Sequence, residues 1–374
     1  MQLRIFSPLS SGTLEENQLG YVNCDNVEYT EKLYDTGTFS ISTSANEDFT
    51  NLMKLGTLVW IKDKGVSLWG VIKAMDDTNA LEKPVNRYGD SLTSYLSQRI
   101  TTVGSNGFDS VKGSTEQVVK YFVDKNLVNP VDDKRKIPYL VNATNQNRGI
   151  QDDKYMVRYM PVIDVVRDVC MTQKLGFKID MDVSTGNMYF DVIQGIDRTA
   201  FQDERPRVIF DVDFGTAKSS DYVEDLSNYK NLFYTSKTGA ENEQTTTTLT
   251  LWRKDETEPT GLERFESTLN VTVDNEAVDI IGEMQNIAYK EMTNFEREVN
   301  FKIALNGNLV YNKDYKLGDF VTIQDRGMSI IENVQLIEVT HQWSRNGYTL
   351  VGTFGKPLRN RFEVLKRDLS KGVI

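Results

Sequence analysis

Residues 57–73 have the sequence TLVWIKDKGVSLWGVIK and predict a β-hairpin. Apolar side chains occupy both faces of each arm, which indicates that protein covers both faces of these strands. Between the arms, Asp63-Lys64-Gly65 has the residue types of a tight hairpin turn. Upstream, Gly37–Ser42 alternates polar and apolar residues, as a further strand does. These segments predict that residues 1–85 form a small barrel or sandwich.

Helical signals begin after this first domain. A helix is predicted to follow Asp90-Ser91, and a second to begin at Ser114, which forms a capping-box pattern with Gln117. A third helix is predicted to have Pro161 as its first residue and Gly176 just beyond its end. The polar stretch between the second and third helices is predicted to be a loop. This part of the chain therefore indicates a mixed α/β domain.

Strand patterns return after this region. A hairpin turn is predicted at Ser184–Asn187, and Arg207–Phe214 is predicted to be a strand. The Thr-rich stretch Gln244–Trp252 is typical of an exposed strand. One helix with a broad apolar face is predicted at residues 276–292, with Asp274 as its N-cap. Strands are predicted to end the region, at Glu298–Leu305, Phe320–Gln324, Ile330–Trp343 and Tyr348–Phe354.

The expected fold class is α+β and β-dominated. Residues 1–85 form the first β domain, residues 86–200 the mixed α/β domain, and residues 201–355 a β-rich region that includes the helix at 276–292. Residues 356–374 form a basic C-terminal segment, because Lys and Arg outnumber the acidic residues there. This segment is predicted to be an amphipathic helix with a solvated basic face, and its alternative role is docking on an acidic partner. The docking candidates are Arg359, Arg361, Lys366 and Arg367.

Composition excludes several classes of protein. The formal net charge is −11, from 43 basic and 54 acidic residues, which argues against nucleic acid as the main ligand. No apolar run approaches the roughly 20 residues that span a bilayer, so no stable membrane insertion is expected. The start of the chain lacks the features of a signal peptide. Cys24 and Cys170 fit no disulfide framework and are expected to be free thiols.

The search for catalytic or binding chemistry yields no specific motif. The single histidine, His341, has no nucleophile motif to accompany it and is expected to be structural. Residues 180–191 resemble a calcium loop only in part, because Gly186 is one place late and position 12 is Asp191. Four acidic pairs stand in predicted loops, and no phosphate-binding glycine loop is present. No catalytic residue, cofactor site or metal site is therefore predicted, and the chain is not expected to be an enzyme.

Several motifs, in their order along the chain, resemble the tail-hub family of siphophages. This family comprises the Tal-like and gp37-like proteins, which are related to the gp27-like hubs of contractile tails. The motifs that carry the resemblance are Tyr34–Phe39, Leu55–Ile61, Trp69–Ile72, Arg87–Leu92, Leu96, Arg99-Ile100, Gln194–Thr199, Gln202, Asn228–Asn231, Tyr315–Val321 and Asn346–Val351.

The resemblance implies a fold with two β-barrel domains similar to tail-tube subunits, joined by α/β and helix-bearing segments. It also implies a homotrimer that docks on a hexameric distal tail protein ring and closes or extends the tail tube, opening for DNA passage. Receptor-binding proteins and the tape-measure protein are further partners that it implies, with DNA only in transit. The location is the tail tip or baseplate of the virion, after assembly in the host bacterial cytoplasm. The chain resembles the short hubs without a lysin domain.

A ring of such domains needs edge strands that pair or pack with neighbours. The Thr-rich strand is the candidate, through Thr246, Thr247 and Thr248. Two other functions stay open. A carbohydrate-binding or adhesin module would use exposed aromatic rings, and Trp69, Trp252 and Trp343 are its candidates. A peptidoglycan hydrolase would use loop carboxylates.

Overall fold

The structure is a computed structural model that describes residues 1–9, 12–44, 51–77, 84–103, 107, 109–151, 153–237, 247–253, 256–271, 280–305 and 307–356. The chain divides into two compact units. The first unit comprises Met1–Asp221 and Phe301–Gly355, and the second comprises Tyr222–Asn300 with Lys356, counted over the described residues. Within those residues, no helix has the length and apolar character needed to cross a membrane.

Among the described residues, 21 strands outnumber three α-helices, which confirms the predicted β-dominated α+β class. The α-helices are α1 (Thr115–Val123), α2 (Val162–Thr172) and α3 (Ile280–Met292). The strands are β1 (Gln2–Phe6), β2 (Gln18–Asn23), β3 (Asn26–Lys32), β4 (Thr38–Ser44), β5 (Leu58–Asp63), β6 (Val66–Asp76), β7 (Pro84–Ser91), β8 (Asp109–Gly113), β9 (Leu140–Asn142), β10 (Asp153–Val157), β11 (Leu175–Asp182), β12 (Asn187–Gln194), β13 (Ile209–Phe210), β14 (Ala217–Asp225), β15 (Leu232–Lys237), β16 (Thr248–Trp252), β17 (Glu266–Val271), β18 (Glu298–Leu305), β19 (Phe320–Asp325), β20 (Ile330–Ser344) and β21 (Gly347–Gly355).

The hairpin predicted at residues 57–73 is confirmed as β5 and β6. Lys64 and Gly65 join the two strands with φ of 51° and 79°, the left-handed conformations of a type I′ turn. Val59 and Trp60 are neighbours on β5 whose side chains project to opposite faces, and both are buried. The expectation that protein covers both faces of this hairpin is therefore confirmed.

The main sheet of the first unit is antiparallel and follows the order β21-β20-β3-β4-β7-β6-β5-β1-β2. It joins early and late parts of the chain, because β3 pairs with β20. In that pair the hydroxyls of Thr30 and Thr340 lie 2.9 Å apart across a sequence separation of 310 residues. Strand β19 pairs with β20, and β13 lies parallel to β19. This order does not close on itself within the described residues, so the two predicted barrels stay a prediction.

Helices α1 and α2 belong to the first unit, beside the small sheet β11-β12-β9. The predicted capping box of α1 is confirmed, because Gln117 N donates to Ser114 Oγ at 3.2 Å and Ser114 N donates to Gln117 Oε1 at 2.8 Å. Val119, Val166 and Phe190, one from each helix and one from the sheet, are fully buried in one hydrophobic core. Burial of these apolar faces is what holds the helices on the sheet.

A helix follows Asp90-Ser91, as predicted, but it is a 3₁₀ helix and the predicted side-chain cap is wrong. Strand β7 extends to Ser91, and the Ser91 hydroxyl accepts a hydrogen bond from Gly37 N at 3.0 Å instead of capping a helix. A short 3₁₀ helix, Leu92–Gln98, follows, and Ser91 makes no side-chain cap to it. A contact with a residue 54 positions away therefore replaced the local cap.

The ends of α2 also differ from prediction. Pro161 is the N-cap and not the first helical residue. The chain reverses at Lys174, whose φ is 53°, and Gly176 lies inside β11. Gly176 is needed there because a Cβ atom would clash with Leu33. The glycine therefore reflects close packing between strands and not a helix terminus.

The strand predicted at Arg207–Phe214 is much shorter than expected. Only β13, Ile209–Phe210, is a strand. The next residue, Asp211, ends it, because its Oδ1 accepts hydrogen bonds from Asp213 N at 2.6 Å and Phe214 N at 3.3 Å. A side chain that bonds to the following backbone forms a turn, which competes with the strand ladder.

The second unit contains a three-stranded sheet in the order β16-β15-β17, with α3 on one face. Phe233 and Leu251 from the sheet pack against Ala288 and Met292 from the helix. The helix is confirmed from Ile280 to its predicted end at Met292. Its predicted first residues, 276–279, and the predicted cap Asp274 lie outside the described residues.

Candidate functional site: an open strand edge and converging motifs

Strand β16 lies at one edge of the sheet in the second unit. It pairs antiparallel with β15, and none of the strands in the described part of the chain pairs with its other side. Thr248 and Thr250 are exposed, whereas Leu251 is buried against α3. The prediction of an exposed Thr-rich strand is confirmed for residues 248–252, and residues 244–246 lie outside the description.

The register shows which backbone groups of β16 face outward. Lys237 N donates to Thr247 O at 3.0 Å, so the polar backbone groups of Thr247 point towards β15. Because these groups alternate along a strand, those of Thr248 and Thr250 point away from the sheet. The edge therefore offers N–H and C=O groups that none of the described strands pairs with.

One face of this sheet is polar and exposed. Arg264 contacts three groups there: Glu266 Oε1 at 2.5 Å, Glu258 Oε1 at 2.9 Å and the Tyr234 hydroxyl at 3.0 Å. The Arg264 guanidinium and then the Tyr234 hydroxyl lower the pKa of the Glu266 carboxyl below its ordinary value. Since α3 covers the other face, this polar face is the exposed face of the sheet, and β16 and β17 are its two edges within the described residues.

The remaining interface candidates have no structural description. Thr246 lies outside the described residues, as do Arg359, Arg361, Lys366 and Arg367. Thr247 is described and lies just before β16. The structure thus places only Thr247 and Thr248 of the predicted set, and it puts both at the open edge.

Two of the sequence motifs meet in the first unit. Arg198, from the motif Gln194–Thr199, donates from Nε to Asp319 Oδ2 at 2.9 Å. Asp319 belongs to the motif Tyr315–Val321, and it also accepts from Ile196 N at 2.9 Å. Only 3% of the Asp319 side chain and 14% of the Arg198 side chain are exposed, so this is a largely buried ion pair with a charge-assisted hydrogen bond.

Glycines let these two motifs approach closely. A Cβ atom at Gly195 would clash with the carbonyl of Gly318. Gly318 has a φ of 95°, a conformation that favours glycine. The two backbones also bond directly, since Phe320 N donates to Ile196 O at 3.0 Å. The motif residues therefore build one structural junction.

A third motif reaches the same junction through a glutamine. The Tyr34 hydroxyl, from the motif Tyr34–Phe39, donates to Gln335 Oε1. Gln335 Nε2 in turn donates to Gly318 O and to Lys174 O, each at 2.9 Å. These three motifs are far apart in the sequence and meet at one place in the first unit.

His341 has a structural role, as expected. Its side chain is fully buried, with Nδ1 2.8 Å from the Tyr348 hydroxyl and Nε2 2.8 Å from Glu31 Oε1. Its ring stacks on Trp343 with the centroids 5.6 Å apart. Both ring nitrogens are satisfied inside the protein, so His341 is not placed to serve as a base for a bound substrate.

The tryptophans proposed for a sugar site are mostly in the core. Trp69 and Trp343 are 3% and 6% exposed, and Trp343 Nε1 donates to Asp63 Oδ2 at 2.9 Å. Trp252 is partly exposed, and its Nε1 donates to Glu256 O at 3.1 Å. Two of the three rings therefore cannot stack on a sugar, which disfavours the carbohydrate-binding alternative.

Several of the loop acids are engaged in local contacts within the described residues. Asp77 pairs with the buried Arg87, and Asp203 pairs with Arg207 on the surface. In the partial calcium loop, Asp182 accepts from Ser184 N at 2.8 Å and so closes the hairpin turn. Among the described residues, no three His, Cys, Asp or Glu side chains stand together as a metal site.

The first unit contains a buried charge cluster that was not predicted from the sequence. Glu116 is fully buried, and its Oε1 accepts from Lys120 Nζ at 2.6 Å. Its Oε2 accepts from the backbone N–H groups of Gln146 and Arg148 at 3.0 and 2.9 Å, so it anchors the polar loop after β9. The i, i+4 spacing of Glu116 and Lys120 was the available signal.

Comparison with known proteins identifies relatives of this fold. The model of the family described as Siphovirus ReqiPepy6 Gp37-like protein matches residues 12–356. No curated protein matches the sequence significantly.

Solved structures of tail proteins share the fold over their full lengths. The tail protein from Neisseria meningitidis MC58 is 11% identical, with 95% of this chain and 96% of that chain covered and a TM-score of 0.57. The prophage MuSo2 43 kDa tail protein from Shewanella oneidensis is 10% identical, with 96% and 99% covered and a TM-score of 0.57. The prophage tail protein gp18 from Listeria monocytogenes EGD-e is 9% identical, with 100% and 99% covered and a TM-score of 0.54.

Proposed function

Because this chain belongs to the Siphovirus ReqiPepy6 Gp37-like protein family, we propose that it is a structural, non-enzymatic component of a bacteriophage tail. The observation that carries the proposal is the family match across residues 12–356. The likeness to three tail proteins along nearly their whole lengths supports the same fold for this chain.

Within the tail, we place the chain at the tip or baseplate of the virion, as a trimeric hub assembled in the host cytoplasm. Two tube-like barrels per subunit would make a pseudo-sixfold ring that docks on a hexameric distal tail protein ring, with receptor-binding and tape-measure proteins as further partners. The open β16 edge supports this proposal, because ring neighbours need such edges. The net charge of −11 suits a tube through which DNA passes without binding.

Immunogold labelling of intact virions tests the tail role. Antibodies raised against the purified chain are expected to label particles at the end of the tail distal to the capsid. Label that stays with unassembled protein and never with virions would contradict a structural role in the particle. Antibodies from non-immune serum, used on the same grids, provide the control.

Light scattering of the purified chain tests the trimer separately. The expected mass is three times the subunit mass of 42.7 kDa. A trimer could also form only on its partner ring, so the measurement is repeated with the distal tail protein added. A chain that stays monomeric in both samples would contradict the trimeric hub but not the tail role.

A further inference from the structure

The second unit and the segment that follows it carry opposite charges. Tyr222–Asn300 holds 16 acidic and seven basic residues, a net charge of −9, while the whole chain has a net charge of −11. Residues 357–374, which lie outside the described residues, hold five basic and two acidic residues, a net charge of +3. This basic segment directly follows Lys356 of the second unit. The most acidic part of the chain is therefore joined to its most basic segment, and opposite charges attract.

One exposed stretch of the second unit, residues 256–266, has a net charge of −3, because it contains four glutamates and one arginine. Arg264 pairs with two of the glutamates. The other two, Glu256 and Glu263, are exposed, and none of the described residues forms an ion pair with either of them. Both carboxylates of this acidic stretch are therefore available to a basic side chain.

The same acidic stretch exposes two large apolar side chains. Leu262 is 99% exposed and Phe265 is 37% exposed. In the basic segment, Phe362, Leu365 and Leu369 recur at spacings of three and four residues, as on one face of a helix. Contact between these two sets of side chains would remove apolar surface from water. The acidic stretch and the basic segment therefore match in apolar character as well as in charge.

The chain leaves the described fold close to the acidic stretch. Lys356, the last residue that the structure describes, pairs with Glu296, and Glu296 Oε1 lies 3.6 Å from Arg253 Nη1. The Arg253 guanidinium lies over the ring of Tyr229, 5.1 Å from its centroid, and the centroid of the Phe265 ring lies 5.3 Å from that of Tyr229. Four successive contacts thus lead from Lys356 to the acidic stretch. The 18 residues that follow would span about 27 Å as a helix, which is enough to reach it.

Attachment to the second unit favours the chain's own basic segment over a separate basic partner. A segment joined through a short connection has an effective concentration on the order of 1 mM at a neighbouring surface. A dissociation constant of about 0.1 mM, which is weak for a peptide, would then keep the segment docked most of the time.

We propose that residues 357–374 dock on the acidic stretch of their own second unit. The apolar side chains of the segment cover Leu262 and Phe265. Its basic side chains pair with Glu256 and Glu263. The inference does not depend on the tail role, because it rests on charges and contacts within one unit.

Hydrogen exchange of the full chain, followed by mass spectrometry, tests the docking. Residues 357–374 are expected to exchange more slowly in the full chain than in a synthetic peptide of the same sequence. Glu263→Lys is expected to speed their exchange at least about threefold, because it replaces an attraction by a repulsion. Glu15→Lys makes the same change at an exposed glutamate of the first unit and is the matched control, with no change expected.

Leu262→Ser tests the apolar part of the docking. The fold should tolerate this change, because the side chain is almost fully exposed. Exchange of residues 357–374 is expected to become at least about threefold faster, as for the charge variant. The proposal is wrong if the segment in the native chain exchanges as fast as the synthetic peptide. Equally slow exchange in the native chain and in both variants would also overturn it.

A chemical crosslink distinguishes docking within one chain from docking between two chains. Leu262→Cys and Leu365→Cys are combined in one full chain and treated with a short bis-maleimide. The native cysteines are buried and are not expected to react. The expected product is a single chain whose digest contains the two linked peptides. A link found only between two chains, or no link at all, would contradict docking on the chain's own second unit.

Discussion

Arg198 and Asp319 form a buried ion pair across 121 residues of sequence, with Nε 2.9 Å from Oδ2. Asp319 Oδ2 also accepts from Lys316 N at 3.0 Å, and its Oδ1 accepts from Ile196 N at 2.9 Å. One carboxylate thus holds the motif Gln194–Thr199 and the motif Tyr315–Val321 together. The stability of the first unit should depend strongly on this residue.

Asp319→Asn is expected to destabilise the first unit by about 3–5 kcal/mol, because it leaves the buried Arg198 charge without its partner. Urea unfolding followed by tryptophan fluorescence measures this, since three of the four tryptophans, Trp60, Trp69 and Trp343, lie in the first unit. Arg207→Gln breaks an exposed pair and is the matched control, with an expected change within about 1 kcal/mol. An Asp319→Asn variant as stable as this control would show that the junction is not important for stability.

Gly195→Ala is expected to destabilise the first unit by about 3 kcal/mol or more, or to prevent soluble expression, because the added methyl group meets the Gly318 carbonyl. Backbone atoms cannot move aside as a flexible side chain can. Gly307→Ala is the control, since no atom lies within 4 Å of a Cβ placed there. Thermal unfolding of both variants compares them, and equal midpoints would contradict the close approach of the two motifs.

Lowering the pH should decrease the stability of the first unit, because the Glu116 carboxylate becomes protonated. Burial raises the pKa of the Glu116 carboxyl, but the Lys120 ammonium and the N–H groups of Arg148 and Gln146 outweigh it, so the pKa lies below its ordinary value of 4.5. The carboxylate therefore contributes stability that is present above about pH 4.5 and is lost as the pH falls through the lowered pKa of the folded state. Glu116→Gln is expected to be less stable at neutral pH and to lose less stability on acidification. Urea midpoints measured between pH 7 and pH 3 check this, and parallel curves for the two proteins would contradict it.

Thr248→Pro is expected to weaken self-association of the chain at least about tenfold while leaving its thermal midpoint nearly unchanged. The reason is that the Thr248 N–H points away from β15, so proline removes an outward donor and no ladder bond. Thr248→Val keeps the N–H and is the matched control. Sedimentation equilibrium over a range of concentrations measures the effect. If the proline variant associates as tightly as the valine variant, β16 is not an edge that pairs in the assembly.

Local signals in the sequence were sufficient where the chain makes local contacts. The Asp63-Lys64-Gly65 turn and the Ser114–Gln117 capping box formed as predicted, because their hydrogen bonds join residues only a few positions apart. The Thr content of β16 indicated an exposed strand, which it is. In each case the partner of the deciding residue is a near neighbour in the chain.

Predictions from local sequence were wrong where the deciding contact is made by a residue far away in the chain. Ser91 was expected to cap a helix, but its hydroxyl instead accepts a hydrogen bond from Gly37 N. Gly176 was expected to end a helix, but it lies in a strand, where a Cβ atom would clash with Leu33. For the contact between Arg198 and Asp319, the only sequence signal was the order of the two motifs along the chain.

The hydrogen bond between Thr30 and Thr340 has a consequence for how the chain folds during translation. At about 5–20 residues per second, β20 emerges roughly 15–60 s after β3. During that interval β3 lacks one of its two neighbours, and its backbone is exposed to other nascent chains. The late arrival of β20 makes the main sheet a structure of high contact order that is completed only after β20 has been synthesised. Chaperone occupancy during translation should therefore be highest before residues 338–343 leave the exit tunnel.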